Sequence, residues 1–86
     1  MDGLYTIYDR AAKQYGPVFQ AHNDDVARRE MIRLLKSVAA WDRDSFVLYH
    51  VAGYNSDLGL VDGFGVPVEI DVIMPDIDEV KPRGIV

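Results

Sequence analysis

Chemistry in this chain has to come from a few side-chain types. Four of its nine basic residues, Arg28, Arg29, Arg33 and Lys36, sit close together behind Asn23, Asp24 and Asp25. Cations at such spacing can neutralise successive phosphates of a polyanion, with Arg10, Lys13 and Arg43 in neighbouring loops as further contacts. The tyrosines Tyr5, Tyr8, Tyr15, Tyr49 and Tyr54 offer flat faces on which unpaired bases stack, the usual basis of sequence-tolerant single-strand binding. The competing reading is a solvated helix face and tyrosines packed in a core or dimer interface. A net charge of -5 and a pI near 4.7 favour that competitor, because nucleic-acid binders usually carry a basic footprint.

Catalytic and metal chemistry find little material. The absence of cysteine removes a thiol nucleophile, a disulfide framework and a zinc ribbon together. His22 and His50 belong to no metal-ligand or nucleophile-activating motif, and read as a loop histidine and a packed strand histidine. Asp24 and Asp25 are adjacent and cannot face each other as a general acid/base pair. The stretch DGFG at residues 62–65 has no phosphate-binding partner motif and reads as a turn. No catalytic residue, metal or cofactor is assigned, and the chain is not expected to be an enzyme.

The elements that must position these residues follow from patterning. LYTIY at residues 4–8 is rich in aromatic and β-branched residues and reads as a strand; a loop with Gly16 and Pro17 leads to a second strand, VFQAH, at 18–22. Asn23 is a suitable helix N-cap, with Asp24 and Asp25 favoured in the first turn by unpaired amides and the positive dipole end. At 100° per residue, Ala27, Met31, Leu34, Leu35 and Val38 form one stripe, while Arg29, Arg33 and Lys36 fall opposite. The helix should fade near residues 38–40. SFVLYHVAGY at 45–54 is the strongest strand signal, apolar on both faces. NSDLG supplies a turn into a short strand at 58–61, and VPVEIDVIM at 66–74 reads as a half-exposed edge strand.

This order, β-β-α-β-β with a possible extra strand, predicts an α+β fold: a small antiparallel sheet with one helix packed on one face. The expected organisation is a single domain over residues 1–74 and a flexible acidic tail over 75–86. Residues 1–61 hold eight acids and seven bases, while 62–86 hold six acids and two bases. The acidity is therefore concentrated toward the end, and a local basic patch can dominate its surroundings within a Debye length of about 10 Å. One helix covers only one sheet face, which leaves the other solvated, used for binding or covered by a copy; a homo-oligomer, with a dimer favoured, is expected. No stretch approaches the roughly 18 apolar residues of a membrane span, and no signal peptide is recognisable, so no membrane partner is expected.

The order of residues carries a further signal. Tyr5, Asp9 and Ala12, then Pro17, Phe19, Asn23, Asp24, Ala27 and Arg29, then Asp44, Leu48, Tyr49, Gly53, Tyr54 and Gly59 form a series that resembles the small nonstructural protein of gokushoviruses, the single-stranded-DNA phages of the Microviridae. Gly16 stands where that family commonly has a second proline. The resemblance implies a DNA-binding protein of the infected bacterial cytoplasm, acting in genome replication or in the switch to single-strand synthesis and packaging. On that reading Arg28, Arg29, Arg33 and Lys36 meet phosphates and exposed tyrosines meet bases of single-stranded DNA. The alternative is a dimeric adaptor in phage replication or assembly that does not touch DNA.

Overall fold

A computed structural model describes residues 1–74. The expected acidic tail at 75–86 lies outside the described residues. The elements in chain order are β1 (Asp2–Asp9), β2 (Gln14–Tyr15), β3 (Phe19–Ala21), α1 (Asp24–Lys36), a 3-10 turn (Ala40–Ser45), β4 (Phe46–Asn55) and β5 (Leu60–Ile70). All strand pairings are antiparallel, and with one helix on the sheet the fold is the small α+β type that the patterning predicts.

The sheet runs β2-β1-β4-β5, with β3 pairing the same edge of β1 as β2 does. β1 is therefore the organising strand. Its later half pairs β2 through Tyr8↔Tyr15, and its earlier half pairs β3 through Gly3↔Ala21 and Tyr5↔Phe19. On its other side it pairs β4 along its whole length, with Val51 left over between Tyr5↔His50 and Leu4↔Ala52. Such a bulge bends the strand that carries it and re-aims the side chains beyond it.

The helix begins where the sequence places it. Asn23 accepts a bond from the Val26 amide at 2.9 Å, and Asp24 and Asp25 occupy the first turn. It ends at Lys36, earlier than the apolar stripe suggests, because the Ser37 amide and hydroxyl turn back to the Leu34 carbonyl at 2.9 and 2.6 Å. Ala27, Met31 and Leu35 of α1 pack against Tyr5, Leu48, Ala21 and Ile70 to form the core. Burial of side chains of the Leu48 or Met31 size contributes roughly 1.5–3 kcal/mol each.

Two expectations are corrected. The strands read separately at 58–61 and 66–74 are one strand, β5, and DGFG lies inside it instead of forming a turn. The sheet tolerates this because residues 64–67 have no partners on β4: the register steps from His50↔Val68 to Ala52↔Gly63, and Gly65 takes a φ of 84° that a side chain would resist. The linker between the first two long elements, read as loop, contains β2. Short as it is, β2 is tied to β1 through the Gly16 amide, which donates to the Ile7 carbonyl at 2.8 Å, and through the Thr6 hydroxyl, which donates to the Gly16 carbonyl at 2.9 Å.

Candidate nucleic-acid interface

Alternation along β1 and β4 sends aromatic residues to both faces of the sheet. On the helix side lie Tyr5, Phe19 and His50, with Phe64 against His50 and 40% exposed. Tyr5 stacks on His50 with ring centroids 4.3 Å apart, and Phe64 meets His50 edge-on at 4.6 Å. Gly3 makes room for them, since a Cβ there would come within 2.6 Å of His50 Nε2. The Tyr5 hydroxyl donates to Asp24 Oδ1 at 2.6 Å. Burial, followed by this bond and the charge of Asp24, pushes the Tyr5 hydroxyl well above the usual tyrosine range. His50 Nδ1 lies 3.8 Å from the same carboxylate oxygen, and its Nε2 is buried without a hydrogen-bond partner among the described residues.

On the opposite face Tyr8, Tyr15 and Tyr49 form a contiguous cluster. Tyr8 and Tyr15 are register partners with ring centroids 4.7 Å apart, and Tyr15 meets Tyr49 edge-on at 5.6 Å. Beneath them Thr6 and Val47 are buried, so this face is screened by its own tyrosines, with Tyr15 still 46% exposed. The loop entering β2 is fixed at its base. The Asp9 carboxylate accepts from the Ala11 and Ala12 amides at 3.0 and 3.3 Å, and the Lys13 amide donates to the Asp9 carbonyl at 2.7 Å. Lys13 adopts a φ of 57°, one residue before Gln14–Tyr15, which places an exposed ammonium group beside the tyrosine cluster in the chain. Arg10, in the same loop, donates to the Asp44 carbonyl at 2.9 Å and remains exposed.

The helix stripe lies in the other layer, and its members differ in availability. Arg28 is held between Asp25 Oδ1 at 2.7 Å and the Asp71 carbonyl at 2.8 Å, so it closes the helix against the chain after β5. Arg33 is paired with Glu30 at 2.7 Å in an exposed i,i+3 contact, an arrangement that polyanions readily displace because such pairs contribute little. Arg29 and Lys36 are exposed and have no ion-pair partner among the described residues. Arg43 is spent on the helix end, where its Nε donates to the Leu35 carbonyl at 2.9 Å.

The sequence-derived candidates therefore divide. Tyr8 and Tyr49 come together, joined by Tyr15; Lys13 lies in the loop that enters β2, and Arg10, in the same loop, lines the cavity that Met31, Leu35 and Arg43 also line; Arg29, Arg33 and Lys36 share the outer helix face behind the sheet. Three of the candidates hold positions other than a free surface: Tyr5 is 1% exposed, with no ring face open to a base, while Arg28 and Arg43 bond to the Asp71 and Leu35 carbonyls. Tyr54 pairs with Asp2 and Val61 and stands apart from the other tyrosines. What sequence reasoning missed is the grouping of Tyr15 with Tyr8 and Tyr49, whose only local signal is the two-residue strand before Gly16 and Pro17.

His22 belongs to a separate polar group. Its Nδ1 lies 3.0 Å from Asp2 Oδ1, and Gln20 donates to the other oxygen of the same carboxylate. The bonds from Gln20 and then His22 hold the Asp2 carboxyl below its usual range. No group of three or more candidate metal ligands occurs among the described residues. No helix among them is long and apolar enough to cross a membrane.

No curated protein and no solved structure gives a significant match to the chain. A family model described as Phage ORF5 protein matches residues 2–74, a span that runs from the start of β1 through the short segment after β5. The chain therefore belongs to the Phage ORF5 protein family.

Proposed function

We propose that this phage protein binds single-stranded DNA in the cytoplasm of the infected bacterium, in genome replication or in the switch to single-strand synthesis and packaging. The observation that carries the reading is the Tyr8–Tyr15–Tyr49 cluster on the sheet face away from the helix. Bases stack on Tyr15 and Tyr49, and Lys13 meets the phosphates that enter beside β2. Base stacking contributes about 1–3 kcal/mol per base and accepts any sequence, which suits a protein that coats a genome without reading it. Arg29, Arg33 and Lys36 lie in the other layer and act as a second, electrostatic contact for strand that continues round the molecule. The presence of only a few engaged cations limits the salt dependence to a slope of roughly -0.7 per phosphate contacted.

The test is a fluorescence-anisotropy titration with a labelled single-stranded oligonucleotide. Tyr15→Ala/Tyr49→Ala should weaken binding far more than Arg29→Glu/Lys36→Glu. The reverse order would move the site to the helix, and no binding by the wild type at low salt would remove the reading. A second reading, an adaptor that binds proteins and not DNA, is favoured by the exposed Leu58, Leu60, Val61 and Val66 at the far end of the β4–β5 hairpin.

A further inference from the structure

β5 is an unusual strand for a protein of this size. It is eleven residues long, and only its last residue, Ile70, is buried. It stands at the sheet edge, paired to β4 on one side and to nothing among the described residues on the other. Leu60, Val61, Val66 and Val68 along it are 61, 60, 69 and 47% exposed. A long edge strand with open carbonyls, open amides other than at Pro67 and apolar side chains is a template for another strand. A two-stranded arm with no core beneath it is also marginal by itself in water.

The charges identify the kind of occupant. Residues 44–74 contain no lysine or arginine, but they hold Asp44, Asp57, Asp62, Glu69 and Asp71. Nucleic acid is therefore repelled from this arm, since affinity for it begins with phosphate neutralisation. An antiparallel strand edge is complementary to itself: rotated by a two-fold axis, the same edge supplies matching donors and acceptors, as isologous contacts require. The position of the acids is consistent with an axis near Gly65. Antiparallel counting about that residue sets Asp62 opposite the partner's Val68 and Glu69 opposite the partner's Val61, so no acid faces an acid.

We propose that two copies of this chain pair antiparallel along the outer edges of their β5 strands, with the two-fold axis near Gly65. This joins the two sheets into one, β2-β1-β4-β5 continued by the same strands in reverse. The expectation of a dimer from the uncovered sheet face thus moves to the sheet edge, because Tyr8, Tyr15 and Tyr49 already screen that face. The inference stands apart from the DNA reading. If both hold, the joined sheet carries two tyrosine clusters, and engagement of the second by one strand becomes intramolecular.

Mass measured by light scattering on the full chain without DNA should be twice the 9.7 kDa of one copy. Val66→Lys/Val68→Lys, which places charge on the exposed edge without touching the core, should halve that mass and leave the far-ultraviolet circular dichroism unchanged. The absence of cysteine allows a second, independent readout. Asp62→Cys/Val68→Cys, which sets each cysteine opposite its register partner across the axis, should form an oxidised dimer in high yield, while Leu58→Cys, in the turn at the hairpin tip, should not. A monomer at all accessible concentrations, a dimer indifferent to the lysines, or preferential cross-linking through Leu58→Cys would each overturn the proposal.

Discussion

Alanine at Gly3 puts a methyl group where two aromatic rings already lie. Its Cβ would sit 2.6 Å from His50 Nε2, 2.7 Å from Tyr5 Cε1 and 2.9 Å from the Tyr5 hydroxyl oxygen, all well inside van der Waals contact. Neither ring is free to retreat. Tyr5 stacks on His50 at 4.3 Å, Phe64 abuts His50 at 4.6 Å, and the Tyr5 hydroxyl is anchored to Asp24 at 2.6 Å. Overpacking of this kind costs about 1–3 kcal/mol. A central cost of about 2 kcal/mol lowers Tm by roughly 8–16 °C in a chain of this size. Thermal unfolding followed by circular dichroism measures it directly. The cause is separable by adding His50→Ala, which removes one of the two obstructing rings. In a double-mutant cycle the two substitutions should couple favourably by about 1 kcal/mol, as neighbours sharing a packing defect do. An unchanged Tm for Gly3→Ala, or strictly additive effects in the cycle, would refute the close approach of β1 to the His50 ring.

Three further outcomes follow from single side chains. Asn23→Ala should cost about 1 kcal/mol in denaturant unfolding, since it removes the acceptor for the Val26 amide. The Tyr5 hydroxyl is held protonated above its ordinary value of 10.0, so its contribution to stability is intact below pH 10 and falls as pH rises above it. An alkaline absorbance titration should show Tyr5 withheld until unfolding, with Tyr5→Phe abolishing the delayed step. The Asp2 carboxyl is held below its ordinary value of 3.8 by Gln20 and His22. The stability it confers is therefore present above that value and lost as pH falls through the lowered one. Asp2→Asn should flatten the acid limb of a stability profile.

Much of the fold was legible because strong local signals agreed with it. The apolar stripe of Ala27, Met31 and Leu35 and the cap at Asn23 fixed the helix, and alternation in residues 45–54 fixed β4. β5 was misread because Gly63, Gly65 and Pro67 are turn residues by composition. Here they sit in a stretch where the strand leaves its partner's register, a property of pairing that local sequence does not encode. The candidate site was legible as a list of tyrosines and cations but not as a surface. Whether Tyr5 or Tyr15 faces solvent depends on which side of β1 the helix covers, and Tyr15 joins Tyr8 only through a two-residue strand. The engagement of Arg28 with Asp71 and of Arg43 with Leu35 spans 43 and 8 residues, contacts that charge patterning along one helix cannot anticipate.

The central claim, that single-stranded DNA lies on the Tyr8–Tyr15–Tyr49 face, is tested most directly by nuclear magnetic resonance of the tyrosine rings during titration with oligothymidylate. The account predicts that the ring signals of Tyr15 and Tyr49 shift progressively to saturation, Tyr8 less so, while the buried ring of Tyr5 stays in place. Ring signals that do not move, or shifts confined to residues around Arg29 and Lys36, would contradict it.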